Sequence, residues 1–298
     1  MFQIRFVKLD IEMEALQDGW LPKDKASGIR GVLGQALQEN TCVWDKQCEA
    51  CNFQKSCIFY NVFHSQFQIQ PYFTLSNDSV GYIIDCWDKR EFYHAGEHLK
   101  FSITLFGNTI PYFNPLLHAL SVIELKGFGK HHIPLKLSCV KNRKGTPILT
   151  EKTVNMEAFQ IEVLSEYIQE RNQSEIHTIY LQSPCAIQVN HAICFHPTME
   201  QIVKNLVRKL YMLNCYEGNY MEPYYSVKKE INIVSQDLQI KKVNRYSNHR
   251  KQSMQLKGIQ GIIQTEAITG EVKDILLAGE IIHLGKNTSF GFGKIKVR

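Results

Sequence analysis

The stretch most informative about the fold lies near the end of the sequence, where residues 279–294 read GEIIHLGKNTSFGFGK. Its first half predicts a strand over 280–284, because apolar residues alternate around His283, and a short helix is predicted before it over 274–278. The second half is a glycine-rich loop, 285–293, whose backbone N–H groups can approach phosphates closely. Glycines at such a turn are also common for structural reasons, so the loop alone does not decide a function.

The elements upstream of this loop occur twice in the same order. A strand, a helix, further strands, a second helix, a glycine-rich turn and a last strand follow one another in each half of the sequence. This order predicts an α+β protein that consists of two tandem ferredoxin-like (RRM-like) domains. We place the N-terminal domain at 1–153, a polar connection at 154–175 and the C-terminal domain at 176–298.

The composition is that of a globular protein. The chain has 298 residues, of which 44% are hydrophobic and 21% are charged, and its formal net charge is +5. Its apolar runs fall far short of the roughly 18–20 residues that cross a bilayer, so no membrane association is expected. The nine cysteines are an odd number, and the alternating strand at 1–13 does not resemble a secretion signal. We therefore expect reduced thiols and a cytoplasmic location.

Three glycines recur at every third position of the first predicted helix, for which Ser27 is the predicted N-cap. Gly28, Gly31 and Gly34 each destabilise a helix interior by roughly 1 kcal/mol relative to alanine. One interpretation is a helix that lies very close to a sheet. The other is a smooth helix surface that a phosphate backbone approaches, and the sequence leaves both open.

Four cysteines within the segment 41–63 have the spacing of metal ligands. Cys42, Cys48, Cys51 and Cys57 form C-x5-C-x2-C-x5-C, and the inner pair matches a zinc knuckle. The neighbouring residues are polar, which disfavours four small core residues as the explanation. We predict a structural zinc ion held by four thiolates, with an unfilled or lost site as the alternative. Four sulfur ligands leave no open coordination position, so no catalytic metal is expected.

The C-terminal half of the chain carries many basic residues. A run of charged residues is commonly a solvated surface. The large number of basic residues in the C-terminal half nevertheless favours a surface that binds along a phosphate backbone. The residues concerned are Lys204, Arg208, Lys209, Lys228, Lys229, Lys241, Lys242, Arg245, Arg250 and Lys251.

Taken with its surroundings, segment 279–294 resembles the C-terminal signature of the CRISPR precursor-RNA-processing endoribonucleases of the RAMP superfamily, in which the loop reads G-K-x-T-S-F-G-x-G. Residues 245–248, RYSN, are similar to another segment of that family. The first helix and the cysteine cluster resemble its first helix and Cys-rich insertion. Asn287 departs from the family pattern, where glycine is usual, and His249 and Arg250 stand where Arg and Gln are expected.

The resemblance covers nearly the whole chain and implies a function. It implies two RAMP domains, the first with the Cys-rich insertion at 41–63, that bind CRISPR repeat RNA or guide RNA in a prokaryotic cytoplasm. It also implies metal-independent cleavage, in which the 2′-OH before the cut attacks its neighbouring phosphate and leaves a 2′,3′-cyclic phosphate and a 5′-OH. Other CRISPR effector proteins are expected as further partners, whereas DNA is not.

Three histidines are candidates for acid–base catalysis, because a side chain with a near-neutral pKa suits proton transfer. His249 lies in the most basic loop, His64 follows the cysteine cluster near where family members often place the base, and His283 opens the glycine loop. The corresponding alternatives are a solvated turn, a surface histidine and a structural strand residue. The predicted RNA contacts are Arg245, Tyr246, Ser247, Asn248, Arg250, Lys251, Lys204, Arg208, Gly285, Lys286, Thr288, Ser289, Gly291, Gly293 and Lys294.

Two further hypotheses belong to other classes of protein. A non-catalytic RAMP subunit that binds guide RNA in an effector complex would share the glycine loop, whereas the RYSN segment and the Cys-rich insertion favour the nuclease. A zinc-stabilised interaction module is the third hypothesis, and it predicts no salt-dependent RNA binding.

Overall fold

In a computed structural model the chain divides into two compact units. The N-terminal unit consists of residues 6–66 and 79–161, and the C-terminal unit consists of residues 1–5, 67–78 and 162–298. The boundary near residue 161 falls within the predicted connection 154–175. The structure describes residues 1–73, 80–171, 173–190, 192–223, 231–247 and 252–298.

The strands, in chain order, are β1 (Arg5–Ala15), β2 (Gly19–Trp20), β3 (Tyr82–Asp85), β4 (Phe92–Tyr93), β5 (His98–Phe106), β6 (Leu135–Asn142), β7 (Pro147–Thr150), β8 (Glu162–Val163), β9 (Ile176–Cys185), β10 (Gln188–Val189), β11 (Ala192–Ile193), β12 (Ile233–Ser247), β13 (Gln252–Ile268) and β14 (Ile295–Val297). The helices are α1 (Ala26–Thr41), α2 (Ile58–Phe63), α3 (Phe113–Lys126), α4 (Leu164–Arg171), α5 (Met199–Glu217) and α6 (Gly270–Ile282). Short 3-10 turns lie at Cys48–Ala50, Gln54–Ser56, Gly107–Tyr112, Met156–Ala158 and Thr288–Phe290.

The N-terminal unit is an antiparallel sheet with helices packed on it. Five strands lie in the order β3-β5-β1-β6-β7. The buried residues Leu9, Ile11 and Met13 alternate along β1, as a strand with one covered face requires. Helix α1 buries Ile29 and Leu33 in the same core, and α3 packs against α1.

The C-terminal unit is also an antiparallel sheet with helices. Its four-stranded antiparallel sheet has the order β12-β13-β9-β14, and α5 and α6 pack against each other. Helix α5 begins with a capping box, in which the Thr198 side chain accepts from the Gln201 N–H and the Gln201 side chain accepts from the Thr198 N–H. The prediction of an α+β protein is confirmed by both units.

Two sequence-based predictions of helix ends were wrong. Helix α1 begins at Ala26 with Lys25 at the N-cap, and Ser27 lies inside the helix. The buried Lys25 ammonium donates to the carbonyls of Asp88 (3.1 Å) and Arg90 (2.5 Å), and these tertiary contacts fix the start of the helix. Helix α6 runs from Gly270 to Ile282, so the predicted strand at 280–284 is mostly helical. A helix that is buried all round cannot be distinguished from a buried strand by periodicity.

Part of the predicted connection belongs to the core of the C-terminal unit. The Tyr167 hydroxyl of α4 donates to Glu280 Oε2 at 2.5 Å, and Arg171 Nε lies 2.9 Å from the same oxygen. The other oxygen of this buried carboxylate accepts from the Val297 N–H at 2.9 Å. A single carboxylate therefore joins α4, α6 and β14.

Two further properties bear on the sequence analysis. Within the described part of the chain, no helix combines the length and the apolar character needed to cross a bilayer. Of the five cysteines outside the cluster, Cys86, Cys185 and Cys215 are buried, and Cys139 and Cys194 are half-buried.

Candidate active site and RNA-binding surface

His64 lies in the N-terminal unit, directly after the last residue of the short helix α2. Its N–H donates to the Tyr60 carbonyl at 2.8 Å, and its side chain is exposed. The imidazole stacks on the Tyr60 ring with the centroids 4.6 Å apart and the planes at 11°, because residues four apart share a helix face. The Phe59 ring meets it edge-on at 6.0 Å. The ring is thus oriented by aromatic contacts while the side chain remains accessible.

The surroundings lower the pKa of His64 below its ordinary value of 6.5. Desolvation by the packed rings is the largest cause and the positive charge of Arg30 adds to it, whereas Glu49 acts in the opposite direction. A face covered by Tyr60 explains how an exposed residue is partly desolvated. The lowered pKa favours the neutral imidazole at pH 7, which is the form that can accept a proton.

Arg30 is a residue of this site that the sequence analysis did not select. Its guanidinium lies over the Phe63 ring, 5.0 Å from the centroid, which brings the charge of α1 close to α2. No sequence signal connects Arg30 with His64, since their proximity depends on how two helices pack. The four-residue spacing of Tyr60 and His64, in contrast, can be recognised in the sequence.

The three glycines of α1 have different surroundings. A Cβ at Gly28 would lie 2.8 Å from the Phe128 ring, and one at Gly34 would lie 3.1 Å from the Phe63 ring. These two glycines allow close packing of the helix. A Cβ at Gly31 would meet nothing within 4 Å, so the surface beside Arg30 is open.

His283 has the surroundings of a structural residue. It is 4% exposed, and its Nδ1 lies 3.0 Å from the Phe292 carbonyl. It follows α6 with a φ of 63°, so it turns the chain out of the helix rather than continuing a strand. This histidine holds the two ends of the glycine loop together, and its burial disfavours contact with RNA.

The glycine loop is fixed mainly by its own backbone. The N–H groups of Lys286 and Gly293 donate to the carbonyls of Ala186 and Pro184, at 3.0 and 2.9 Å. Those of Phe290, Gly291 and Phe292 donate to carbonyls of the loop itself. These five N–H groups are engaged within the protein, so the loop presents fewer donors to a phosphate than its sequence suggests.

The left-handed positions of the loop explain its composition. Gly285, Gly291 and Gly293 have φ values of 82°, 85° and 86°, and a Cβ at Gly293 would lie 2.4 Å from the Leu284 carbonyl oxygen. Asn287, where the family usually has glycine, has a φ of 64°. Asparagine tolerates this region better than most residues, so the departure from the family pattern preserves the turn.

The side chains of the loop are only partly available to a ligand. Thr288 and Ser289 are buried, and the Thr288 hydroxyl accepts from Lys209 Nζ of α5 at 2.8 Å. Lys286 and Lys294 are half-exposed. Arg245 of β12 lies with its guanidinium over the Phe290 ring, 4.1 Å from the centroid. The loop and the β12–β13 hairpin are therefore joined at the predicted RNA contacts.

The hairpin carries exposed positive charge. Lys241, Lys242 and Lys257 are exposed, and Lys242 pairs directly with Lys257 across the two strands. Like charges in directly opposite positions are unfavourable unless an anion lies near them. Tyr246 and Ser247 are the last residues of β12. The predicted residues Asn248, His249, Arg250 and Lys251, and also Lys228 and Lys229, lie outside the described residues.

The two basic residues predicted on α5 differ in their surroundings. Lys204 is exposed and lies 2.6 Å from the Glu200 carboxylate, one turn earlier. Arg208 lies over the Phe73 ring, 3.8 Å from the centroid, and desolvation lowers its pKa. Its guanidinium is held flat on an aromatic face, which is an arrangement that nucleic-acid-binding proteins also use.

The four clustered cysteines line one cavity of about 360 Å³ in the N-terminal unit. Burial is the largest cause of a raised pKa at Cys48, and the nearby Cys57, Cys42 and Cys51 thiols raise it further. Among the residues that the structure describes, no three Cys, His, Asp or Glu side chains converge as they would on a metal ion. The thiols are thus neighbours without a preformed coordination site.

Comparisons with known families cover both units. Residues 4–161 match the family model AF_1859_N, which describes an N-terminal domain, and residues 179–295 match the CRISPR-associated endoribonuclease Cas6. The AF_1859_N match covers more than half of the chain, and the chain belongs to that family; the Cas6 endoribonuclease match covers the C-terminal part that contains the glycine loop. The resemblance found in segment 279–294 is therefore confirmed. No curated protein matches the chain.

Solved Cas6 structures share the fold. A partial Cas6-RT-Cas1–Cas2 complex aligns with a TM-score of 0.57 and 13% identity over 99% of this chain and 46% of that one, so this chain spans less than half of it. Thermus thermophilus Cas6 (TTHB231) aligns with a TM-score of 0.54 and 12% identity over 99% of both chains. A product complex of Cas6 (TTHA0078) gives 0.53 and 13%, again over 99% of both. These similarities confirm the prediction of an α+β fold with two ferredoxin-like domains.

Proposed function

We propose that the chain cleaves CRISPR precursor RNA within its repeats without a metal ion, and that His64 is the general base. The match of residues 179–295 to the Cas6 endoribonuclease model supports the substrate and the reaction class. The observation that carries the assignment of His64 is its geometry. The side chain is exposed, its ring is oriented by Tyr60, and its pKa lies below 6.5.

The proposed reaction uses a nucleophile that belongs to the RNA. Neutral His64 takes the proton of the 2′-OH before the cut, and that oxygen forms a bond to the adjacent phosphorus. The bond from phosphorus to the 5′ oxygen breaks, and this oxygen takes a proton from solvent water and leaves as a 5′-OH. The other product ends in a 2′,3′-cyclic phosphate. Alignment and proton transfer account for such a reaction, and a positioned base contributes roughly 10²–10⁴-fold.

Arg30 is proposed to stabilise the pentavalent phosphate. Its charge is close enough to His64 to lower the pKa of the imidazole, and the stack on Phe63 fixes the guanidinium. Preorganised positive charge at a developing anion lowers the barrier because it needs no rearrangement during the reaction. Tyr60 is a positioning residue that acts through the His64 ring.

RNA binding is proposed for the C-terminal unit. The exposed Lys242 and Lys257 face each other across the hairpin, and Arg245 is held on Phe290 beside the glycine loop. Phosphate groups between the lysines would relieve their repulsion. We propose guide RNA as the retained product and other CRISPR proteins as partners, in the cytoplasm. One structural relative is part of a Cas6-RT-Cas1–Cas2 complex, and another was solved as a product complex.

The test is cleavage of repeat RNA by the full chain in Mg²⁺-free buffer that contains EDTA. We expect one discrete cut, whose upstream product ends in a cyclic phosphate. A matched RNA with a 2′-deoxy nucleotide before the cut should bind equally well and stay intact. Cleavage of that RNA, or a strict need for added Mg²⁺, would contradict the proposed reaction.

Variants separate the candidate residues. In single-turnover assays His64→Ala should reduce the rate about 10²–10⁴-fold at unchanged RNA affinity. The same substitution at His249 is the comparison, and a larger loss there would move the catalytic role to His249. Tight binding with no cut by the wild type would indicate a guide-RNA-binding subunit instead.

A further inference from the structure

The cysteine segment, residues 42–57, lacks a core of its own. All of its residues are described, and every one of them is exposed or half-buried. Val43, Trp44 and Phe53 are 74%, 57% and 52% exposed. Ordering the backbone costs roughly 1–2 kcal/mol per residue, and segments without a core offset that cost with disulfides or a metal ion.

The four cysteines occupy the ends of the local elements. Cys42 follows the last residue of α1, and its N–H donates to the Gln38 carbonyl at 3.0 Å. Cys48 begins the first 3-10 turn and Cys51 closes it. Cys57 closes the second turn and is the N-cap of α2. A single ion bound to all four would therefore connect α1, both turns and α2.

The surroundings of the sulfur atoms suit thiolate ligands. The Phe53 N–H donates to Cys51 Sγ at 3.4 Å, and Gln38 Nε2 donates to Cys48 Sγ at 3.9 Å. Donors of this kind stabilise the negative charge of metal-bound sulfur. The Cys42 thiol donates to the Trp44 carbonyl at 2.7 Å, a bond that ligation would replace. All four line the same cavity of about 360 Å³, so metal binding would draw neighbouring sulfurs together.

We propose that Cys42, Cys48, Cys51 and Cys57 bind one Zn²⁺ as four thiolates, and that this centre holds α2 in place. Four thiols and one Zn²⁺ give a tetrathiolate complex of charge −2 and four released protons. Tyr60 and His64 lie on and directly after α2, so the zinc centre positions the candidate base. This last step rests on the proposed function, whereas the metal site does not.

The first experiment measures the metal content of the full chain purified without chelators. One zinc per chain is expected, and Co²⁺ in its place should give intense thiolate-to-metal charge-transfer bands. Cys48→Ser combined with Cys51→Ser should weaken zinc binding by at least about tenfold. Cys139→Ser is the matched control, since Cys139 is a half-buried cysteine of β6, and it should retain the zinc.

Three outcomes would overturn the metal site: no zinc together with no Co²⁺ uptake by the reduced wild type, iron with sulfide in place of zinc, or disulfides among the four cysteines. The wild-type measurements do not depend on whether a variant folds. Limited proteolysis gives a second readout, because zinc removal should expose 42–57 to cleavage and zinc addition should reverse it.

A final pair of measurements separates the metal site from the proposed function. Zinc-depleted and zinc-restored chain are compared in the single-turnover assay, and the depleted chain should be at least about tenfold slower, as misplacement of a base predicts. If zinc is bound but His64→Ala cleaves normally, the metal site stands and the assignment of His64 fails. If His64 is needed but zinc removal leaves the rate unchanged, the positioning role of the centre is wrong.

Discussion

The glycine loop and the cysteine segment are both short, turn-rich stretches, but different forces hold them. The loop at 285–293 buries Phe292, Thr288 and Ser289, and its N–H groups donate to carbonyls of the loop itself and of residues 184 and 186. The cysteine segment at 42–57 buries no residue and has four thiols around a cavity. The loop is stabilised by its own packing, whereas the segment, by the proposal above, is stabilised by a bound metal ion.

The comparison also separates the two histidines next to these stretches. His283 beside the loop is buried and holds the backbone, and His64 after the cysteine segment is exposed with a lowered pKa. A side chain that is fixed by several packing contacts, such as His283, suits binding and stability. A position at the edge of a segment with little core suits chemistry, because the reacting group must reach the substrate.

The largest effect is expected from filling the tight space in the loop. Gly293→Ala places a Cβ 2.4 Å from the Leu284 carbonyl oxygen at a φ of +86°, so it should lower the free energy of unfolding by at least about 2 kcal/mol. Urea denaturation of the full chain measures this change.

Gly145→Ala is the matched control for that substitution. Gly145 has nearly the same φ, +85°, but a Cβ there meets nothing within 4 Å, so only the backbone cost of about 1 kcal/mol should remain. Equal losses of stability at both glycines would show that close packing does not stabilise the loop, which would contradict the difference proposed between the loop and the cysteine segment.

The second prediction concerns the pH dependence of cleavage. Neutral His64 is the active form, so the single-turnover rate should rise about tenfold per pH unit below its pKa and level off above it. Because desolvation and Arg30 lower that pKa and Glu49 opposes them, the midpoint should lie below 6.5. Arg30→Gln removes one lowering cause and should move the midpoint upward, whatever its effect on the plateau rate.

Lys136→Gln serves as the control for the pH profile. Lys136 is a basic residue of the same unit that pairs with Glu151 at 2.6 Å, and its loss should leave the midpoint unchanged. A rate that falls as the pH rises through 6.5 would mean that the protonated imidazole is required, and His64 would then not be the base.

The smallest effect concerns where phosphates bind in the C-terminal unit. If the hairpin lysines contact phosphates, Lys242→Gln and Lys257→Gln should each reduce the slope of log Kd against log salt by about 0.7 for single-stranded RNA. Filter binding over a range of salt concentrations measures the slope. An unchanged slope in the double variant would move the phosphate contacts from the hairpin to the loop N–H groups or α5.

Much of the fold could be predicted from the sequence, because local sequence patterns and tertiary packing favour the same elements. The alternating strand predicted at 1–13 corresponds to β1, Arg5–Ala15, and the residue types of the α5 capping box, Thr198 and Gln201, stand three positions apart in the sequence. Segment 154–175 was unreadable because α4 is a polar helix that is held by the buried carboxylate of Glu280. Its apolar residues Leu164, Tyr167 and Ile168 form only a short stripe, and an ionic contact adds the rest of the anchoring, so the periodic signal is weak.

Residue types at fixed spacings along the chain were enough to predict the α+β class, the resemblance of segment 279–294 and the candidate ligands. The tertiary structure was needed to show which histidine is accessible and which glycines of α1 are needed for packing. It also showed that Arg30 lies near His64. Burial, pKa and helix–helix proximity arise from residues that are distant in sequence. They are therefore set by how α1, α2 and the sheets pack, and spacing alone does not encode them.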